Sequence, residues 1–376
     1  MSKKTITLSS NSSWYLFNFR RSTIEAFLRK NFNVICICPA DSYTDALKKL
    51  GCEWYEIKVS RKGINPFEDF KLFLQILFLY LKIKPVAAFH FTVKNNIYGS
   101  FAAFFARVPA INNITGLGTA FLHRNFISRV VLSLYKLSQP LAHKVFCQNI
   151  EDLNLLAQFK ILSKEDIGLL PGSGVNLDRF NPMLKKSLID HKRKFRFLYA
   201  GRMLADKGLY ELYEAISIMN NPKITCELWL SGFTDYENVS AIPKSTLEKW
   251  SDNSWILWKG PSDSIEKIMS EVDCIVLPSY REGMPKTLLE AGAMAIPVVT
   301  TDVPGCNSII TNNKNGLICK PKDSKSLGLA LKKMLNMTNA ERLEMGECGR
   351  VIVQKKYNEE FVVKAAIEEV NKIINN

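Results

Sequence analysis

The sequence predicts an α/β fold with doubly wound parallel sheets in two domains. A chain of 376 residues is long for one core and comfortable for two domains of ordinary size. Short apolar runs alternate with helical periodicity in the first half, which favours parallel strands joined by crossover helices. The second half repeats this pattern, with strand-like runs near Phe195, Cys226, Trp255, Cys274 and Val298.

In the first half the strand-like runs cover residues 5–8, 34–38, 86–91, 110–115 and 145–147. Asn65 and Pro66 predict a helix start, as an N-cap followed by proline at the first position. The apolar run that follows, 70–81, is shorter than the roughly twenty residues that span a bilayer. We interpret it as a helix packed on the sheet, with an interfacial membrane helix as the alternative.

The domain boundary is predicted from composition. Residues 171–174 are rich in glycine and proline, and residues 185–194 form a charged stretch with little apolar periodicity. We therefore predict a first domain over 1–175 and a second over 176–356. Residues 357–376 have mostly helical spacing and form a separate terminal helix.

The positive charge is concentrated in the first domain. The chain has a net charge of +14, of which +12 falls on residues 1–160. Candidate partners are nucleic acid, an anionic membrane surface or a diphosphate-bearing acceptor. No known nucleic-acid motif is present, so we expect no nucleic acid partner. A second basic helix, 125–137 with Arg129 and Lys136, suits either core packing or membrane docking.

Nine cysteines lie scattered in apolar runs without the spacing of a metal site. Reduced, buried thiols in a cytoplasmic protein explain them best. The first residues enter a strand without an apolar signal region, so we expect no export. The 47% hydrophobic content excludes a mainly disordered chain.

The most informative segment runs from Glu282 to Glu290. A buried strand-like run precedes it, and Gly283 and Met284 lead into a helix whose first turn is predicted to include Pro285. The two carboxylates bracket a helix N-terminus, which binds phosphate through its free N–H groups and dipole. A nucleotide sugar, with hydroxyls at both ends and a diphosphate between, fits this pattern. The alternative is an ordinary loop charge and an exposed helix residue.

A second segment places cations at the end of a strand. Gly201 and Arg202 follow the strand-like run 195–200, and Lys207 and Gly208 precede a helical stretch, 209–219. Ligands bind at the carboxyl edge of open α/β sheets, where arginine and lysine can hold phosphate. Two solvated surface cations are the alternative reading.

Together these segments resemble the family 4 glycosyltransferases, which are retaining enzymes with the GT-B architecture of two facing Rossmann-like domains. The chain matches them in length and order, and the specific motifs lie almost entirely in the second half. Those motifs are Gly201-Arg202, Lys207-Gly208, Pro278-Ser279-Tyr280-Arg281-Glu282-Gly283-Met284-Pro285, Leu289-Glu290-Ala291, and Gly174-Val175-Asn176 with Phe180.

The resemblance implies roles for the matched residues. Glu282 is expected to contact the donor sugar, Glu290 to hold the ribose, and Arg202 and Lys207 to neutralise the diphosphate. Gly201, Gly283, Met284 and Pro285 are expected to line the donor. The terminal helix is expected to cross back onto the first domain. The glycine-rich first loop of the family is replaced here by Ser9-Ser10-Asn11-Ser12-Ser13.

The acceptor is expected on the first domain. We select Arg20 and Lys94 as ligands of an acceptor diphosphate, and Gly116 and Gly118 as points of close backbone approach. His90 at a strand end is a candidate base or sugar contact, with a hydrogen-bonded structural residue as the alternative.

The resemblance implies a retaining transferase that uses a UDP-sugar, with N-acetylgalactosamine as first candidate for the sugar. The basic first half and its apolar helices favour a polyprenyl-diphosphate-linked saccharide as acceptor. The setting is bacterial surface-glycan or O-antigen lipopolysaccharide assembly, on the inner face of the cell membrane. No Asp-x-Asp motif occurs, so we expect no metal and no cofactor. The alternatives are a GT-B epimerase or hydrolase, against which four unpaired histidines count, and a non-enzymatic basic protein that binds membrane or nucleic acid.

Overall fold

The computed structural model describes residues 3–59, 65–116, 126–184, 193–223, 225–235 and 238–375. The chain forms two compact units, one of residues 1–173 with 359–376 and one of residues 174–358. Each unit is built on a parallel sheet, so the predicted α/β class with doubly wound sheets is confirmed.

The first unit contains a seven-stranded sheet in the order β3-β2-β1-β4-β5-β6-β7. The strands are β1 (Thr5–Ser9), β2 (Asn33–Ile37), β3 (Glu53–Tyr55), β4 (Ala87–Phe91), β5 (Ala110–Ile114), β6 (Lys144–Cys147) and β7 (Ile167–Leu169). The helices are α1 (Ser13–Arg29), α2 (Thr44–Lys49), α3 (Pro66–Ile83), α4 (Val93–Ala106), α5 (Phe126–Ser138) and α6 (Ile150–Gln158).

The second unit contains a six-stranded sheet in the order β10-β9-β8-β11-β12-β13. The strands are β8 (Phe195–Ala200), β9 (Cys226–Ser231), β10 (Ile256–Gly260), β11 (Cys274–Leu277), β12 (Val298–Thr301) and β13 (Leu317–Cys319). The helices are α7 (Leu209–Met219), α8 (Lys244–Ser251), α9 (Ile265–Met269), α10 (Lys286–Ala293), α11 (Ser324–Asn336) and α12 (Asn339–Lys356).

The last helix, α13 (Glu359–Asn375), belongs to the first unit. It packs beside α1 and contributes Val362, Ala366 and Val370 to the same buried cluster as Ile24 and Phe27. The other face of this sheet carries α3 and α4. The first unit is therefore a three-layer sandwich that is completed by the end of the chain.

The strand order of the second sheet indicates where a ligand would bind. In the second unit the order reverses at β8, which pairs with β9 on one side and β11 on the other. Ligands of open α/β sheets bind outside the carboxyl ends of the strands at such a reversal. The loops after β8 and β11 both leave the sheet at this point, and they carry Arg202, Lys207 and Glu282.

The helix predicted to start at Asn65 and Pro66 is confirmed as α3. The Asn65 side chain accepts a hydrogen bond from the Phe67 N–H at 3.1 Å, and Pro66 is the first helical residue. Leu72, Ile76 and Tyr80 on one face of α3 are buried. Among the described residues, no helix combines the length and apolarity needed to cross a membrane.

Candidate active site

Two loops of the second unit meet at the carboxyl edge of its sheet. Gly208 has a φ of +72°, and a Cβ at this position would lie 2.1 Å from the carbonyl oxygen of Pro278. The backbone N–H of Tyr280 donates to the carbonyl oxygen of Asp206 at 2.9 Å. Any side chain at position 208 would force the loops apart, so glycine is required for their contact.

This contact brings Lys207 beside Glu282. Lys207 Nζ lies 2.6 Å from Glu282 Oε1, and the Ser279 hydroxyl donates to the same oxygen at 2.6 Å. The side chains of Lys207 and Glu282 are 17% and 14% exposed. The pair is therefore shielded from bulk water but still open to a ligand, and it would interact more strongly than a surface ion pair.

The loop that carries Glu282 is fixed by its neighbours. Ser279 is fully buried, and its carbonyl oxygen accepts a hydrogen bond from the Thr301 hydroxyl. Gly305 has a φ of +83°, and a Cβ there would lie 2.7 Å from the carbonyl oxygens of both Glu282 and Gly283. The backbone around Glu282 is thus held from the β12 side, which orients the carboxylate.

Arg202 lies at the end of β8 with its side chain 44% exposed. Its guanidinium donates to Asp235 at 3.1 Å, and its carbonyl oxygen accepts from the Tyr199 hydroxyl at 2.6 Å. Burial, with the Glu282 charge nearby, raises the pKa of Tyr199. Lys207 and Glu282 thus form one ion pair of the site. Arg202 forms another with Asp235, which the sequence did not indicate. Gly201 is exposed next to this arginine.

Glu290 is the fifth residue of α10 and is 8% exposed. Burial raises the pKa of its carboxyl group, and the charges of Lys286 and Arg179 partly offset this. Arg179 itself donates to Glu266 Oε2 through Nε at 3.0 Å and Nη2 at 2.9 Å. The contact between Arg179 and Glu266 was not predicted from the sequence, because the two residues lie 87 positions apart.

The N-terminus of α10 differs slightly from the prediction. Pro285 has an extended conformation and is the N-cap, so the helix begins at Lys286 instead of including the proline in its first turn. Proline provides no side-chain cap for the helix. Partly exposed Gly283 and Met284 precede it. The first turn of α10 has the character of an anion-binding helix end.

Two family models match most of the chain. Residues 181–351 match the model described as glycosyl transferases group 1, and residues 5–149 match the model described as glycosyl transferase 4-like. The chain belongs to the family 4 glycosyltransferases. The resemblance stated from the motifs around Arg202 and Glu282 is thereby confirmed.

Known relatives extend this family assignment. The transferase is 27% identical, over 98% of both chains, to an N,N'-diacetylbacillosaminyl-diphospho-undecaprenol alpha-1,3-N-acetylgalactosaminyltransferase of Campylobacter jejuni. It is 25% identical to an Escherichia coli UDP-Gal:alpha-D-GlcNAc-diphosphoundecaprenol alpha-1,3-galactosyltransferase, over 72% of this chain and 71% of that protein.

Solved structures share its fold. Anabaena Alr3699/HepE in complex with UDP-glucose aligns with a TM-score of 0.79 and 15% identity, over 98% of this chain and 99% of that chain. A Rickettsia africae glycosyltransferase aligns over the full length of both chains with a TM-score of 0.75 and 19% identity. The predicted GT-B fold is confirmed.

In the first unit of the transferase, Arg20 is buried. It is 2% exposed and stacks over the Phe91 ring at 4.3 Å. Its Nη2 donates to the Tyr15 hydroxyl at 3.1 Å, while the buried Nε atom has no hydrogen-bond partner. Arg20 lines a small cavity with Thr23 and Asn113. Its role toward an acceptor stays a prediction.

Lys94 is paired within the first unit. Its Nζ lies 2.7 Å from Asp69 Oδ1, and the Tyr98 hydroxyl donates to the other oxygen of Asp69 at 2.9 Å. An acceptor phosphate would therefore have to compete with a nearly buried carboxylate. Gly116 has a φ of +128°, a conformation that favours glycine, and its role toward an acceptor stays a prediction. Gly118 lies outside the described residues.

His90 is fully buried in the transferase. Its Nδ1 lies 2.7 Å from Asn112 Oδ1 and its Nε2 lies 2.9 Å from the Tyr80 hydroxyl. Burial lowers its pKa to about 4. A Cβ at Gly99 would lie 2.7 Å from the imidazole ring. This enclosure favours the structural alternative, while the role as base or sugar contact stays a prediction.

Proposed function

We propose that this glycosyltransferase moves a sugar from a UDP-sugar to a polyprenyl-diphosphate-linked saccharide, with retention of anomeric configuration and without a metal ion. N-acetylgalactosamine is the first candidate for the sugar. The Campylobacter relative, named for N-acetylgalactosamine transfer to an undecaprenyl-diphosphate sugar, supports this choice through similarity over nearly the whole length of both chains. The process served is the assembly of a bacterial surface glycan.

One observation carries the proposal: Lys207 and Glu282 are held together, partly buried, at the carboxyl edge of the second sheet. This arrangement supports donor binding because a cation beside a carboxylate matches the point in a nucleotide sugar where the diphosphate joins the sugar. Lys207 binds the diphosphate as a point charge, and Glu282 accepts hydrogen bonds from the donor sugar.

The rest of the donor follows along α10. The diphosphate lies at the helix N-terminus beside Gly283 and Met284, where the helix dipole favours negative charge. The Glu290 carboxylate, one turn further on, accepts hydrogen bonds from the ribose hydroxyls. Anabaena HepE, which shares this fold, has been solved in complex with UDP and with UDP-glucose, and this supports a donor of the same class here.

The chemical step breaks the bond between the sugar C1 and the diphosphate oxygen. Negative charge develops on the departing phosphate, and Lys207, Arg202 and the helix N-terminus stabilise it. The acceptor hydroxyl attacks C1 from the face that the diphosphate leaves, and its proton passes to the departing phosphate oxygen. The new glycosidic bond therefore has the same configuration as the broken one.

The acceptor side rests on charge. Residues 1–160 carry a net charge of +12, which suits a diphosphate at the surface of an anionic membrane. Arg20 and Lys94 remain our candidates for contact with that diphosphate. The transferase then works as a peripheral protein on the inner face of the cell membrane, where its acceptor is embedded.

A product assay tests the function directly. The protein is incubated with a panel of UDP- and GDP-sugars, with and without a polyprenyl-diphosphate sugar, in excess EDTA. Acceptor-dependent transfer from one UDP-sugar with retained configuration, established by NMR of the product, is expected. Donor isomerisation or hydrolysis without acceptor would assign the chain to the epimerase or hydrolase alternative. Transfer that EDTA abolishes would contradict metal independence.

A further inference from the structure

Helix α3 carries apolar side chains on its exposed side as well as on its buried side. Leu72, Ile76 and Tyr80 are buried on one side. On the opposite side, Phe67 is 81% exposed and Phe78 is 68% exposed. The remaining apolar residues of that exposed side are Phe70, Leu74 and Leu81. Contiguous exposed apolar patches are uncommon on protein surfaces, and those that occur mark interaction sites.

The apolar surface continues onto α4. The Phe70 and Phe73 rings lie 6.0 Å apart, Phe73 lies 6.0 Å from Phe105, and Phe105 lies 5.6 Å from Phe104. Phe104 and Phe105 are more than half exposed. We call this the α3–α4 aromatic surface, and it consists of Phe67, Phe70, Phe73, Leu74, Phe78, Leu81, Phe104 and Phe105.

Cations predominate at the margin of the α3–α4 aromatic surface. Lys71 and Lys82 are exposed on α3, and Lys84 and Arg107 are exposed where α3 and α4 end. Of the two carboxylates on the described residues of α3 and α4, Glu68 in the first turn of α3 is exposed. The other α3 carboxylate, Asp69, is buried and paired with Lys94.

We propose that the α3–α4 aromatic surface docks the protein onto a bilayer that contains anionic lipids. Phenylalanine and leucine side chains enter the boundary between headgroups and acyl chains, and the marginal cations contact lipid phosphates. An isolated interfacial helix has a polar face opposite its apolar one. The corresponding face of α3 is packed on the sheet, so α3 is ordered before it meets the bilayer.

A bilayer fits this surface better than a protein partner for two reasons. The cations at its margin complement an anionic membrane, and most of the positive charge of the chain lies in the same unit. The proposed function, on which this inference rests, places the acceptor in a membrane. Docking through α3 and α4 would bring the first unit to that acceptor without a membrane-spanning helix.

Flotation with vesicles tests the surface. The full chain is mixed with phosphatidylcholine vesicles that contain 0 or about 30% phosphatidylglycerol, a fraction chosen to give a marked anionic potential. We expect the parent to bind the anionic vesicles. Phe67→Ser with Phe78→Ser should reduce the partition coefficient at least about tenfold, because each buried phenylalanine contributes more than a tenfold factor.

Matched controls separate the surface from general hydrophobicity. Ile218→Ser with Leu329→Ser removes two side chains of the second unit that are 62% and 73% exposed, and it should bind like the parent. Lys71→Glu with Lys82→Glu should weaken binding and reduce its salt dependence. The exposed helix lysines of the second unit give the charge control, Lys325→Glu with Lys332→Glu.

Three outcomes would overturn the docking proposal. The first is a parent that does not bind anionic vesicles, and the second is a Phe67→Ser, Phe78→Ser variant that binds as well as the parent. The third is self-association of the parent, seen by sedimentation, that the same variant abolishes. Transfer to a short-chain, water-soluble acceptor is measured in parallel. Parent activity in that assay would leave the transferase function standing even if docking fails.

Discussion

Lys207 Nζ and Glu282 Oε1 lie 2.6 Å apart although 75 positions separate the two residues in the chain. Their proximity follows from the pairing of β8 with β11, which brings the two following loops to one edge of the sheet. A diphosphate that binds Lys207 competes with Glu282 for its ammonium group. In the proposed mechanism the pair therefore keeps both charges satisfied until a donor binds.

Lys207→Ala should lower kcat by about 10²–10³-fold, because it removes one positive group that stabilises the departing diphosphate. Initial rates at saturating donor measure this. Lys244→Ala is the control, since Lys244 forms an exposed pair with Glu248 on α8. A Lys207→Ala protein as active as the parent would remove the proposed role in leaving-group stabilisation.

Glu290→Gln should stabilise the protein and weaken donor binding. Burial raises the pKa of Glu290, so its ionised form costs stability as the pH rises through that raised pKa. The neutral amide removes this cost at pH 7. It also removes a charged acceptor for the ribose, which should raise the Kd for UDP about tenfold or more. Urea unfolding and calorimetry measure the two effects, with exposed Glu248→Gln as control. A loss of stability with unchanged UDP affinity would contradict both expectations.

Ser279→Ala should lower kcat/KM about tenfold, since one of the two donors that hold Glu282 Oε1 is lost. We treat Ser279 as a positioning residue. Its matched control is Ser270→Ala, which removes another buried hydroxyl, one that donates to the Lys267 carbonyl oxygen at the end of α9. If Ser279→Ala changes only the unfolding temperature, as the control should, the hydroxyl has no part in orienting Glu282.

Acidification should destabilise the first unit through His90. Its folded pKa is about 4, below the ordinary value of 6.5, so only the unfolded chain takes up a proton between these values. Above pH 6.5 His90 does not lower the free energy of unfolding. This free energy falls by up to about 3 kcal/mol as the pH approaches 4. Calorimetric unfolding from pH 7 to 4.5 should show this slope in the parent and in His143→Gln, and a shallower slope in His90→Gln. Equal slopes in all three proteins would exclude His90 as the cause.

The elements with strong sequence signals were predicted well. The runs 5–8 and 110–115 correspond to β1 and β5, and the helix 209–219 coincides with α7. The strands β3, β7 and β13 were not predicted, because each is an edge strand of only three residues. β7, for example, consists of Ile167, Gly168 and Leu169, and its central glycine weakens the strand signal.

Side-chain partners were harder to predict than side-chain positions. The motifs placed Lys207 and Glu282 in loops at the carboxyl ends of strands and Glu290 in the following helix, but the partner of each charge depends on strand order and loop packing. Asp69 is the partner of Lys94 because α3 packs against α4, which no local pattern indicates. His90 illustrates the same limit, since its enclosure depends on Asn112 of β5 and Tyr80 of α3.

The position of α13 has a consequence for synthesis on the ribosome. The second unit is one continuous stretch, 174–358, and can fold as soon as that stretch has emerged. The first unit precedes that stretch but receives α13 from residues that follow it. Until α13 has emerged, the face of α1 that packs on Val362 and Ala366 is uncovered. The domain that is translated first is therefore the one that matures last.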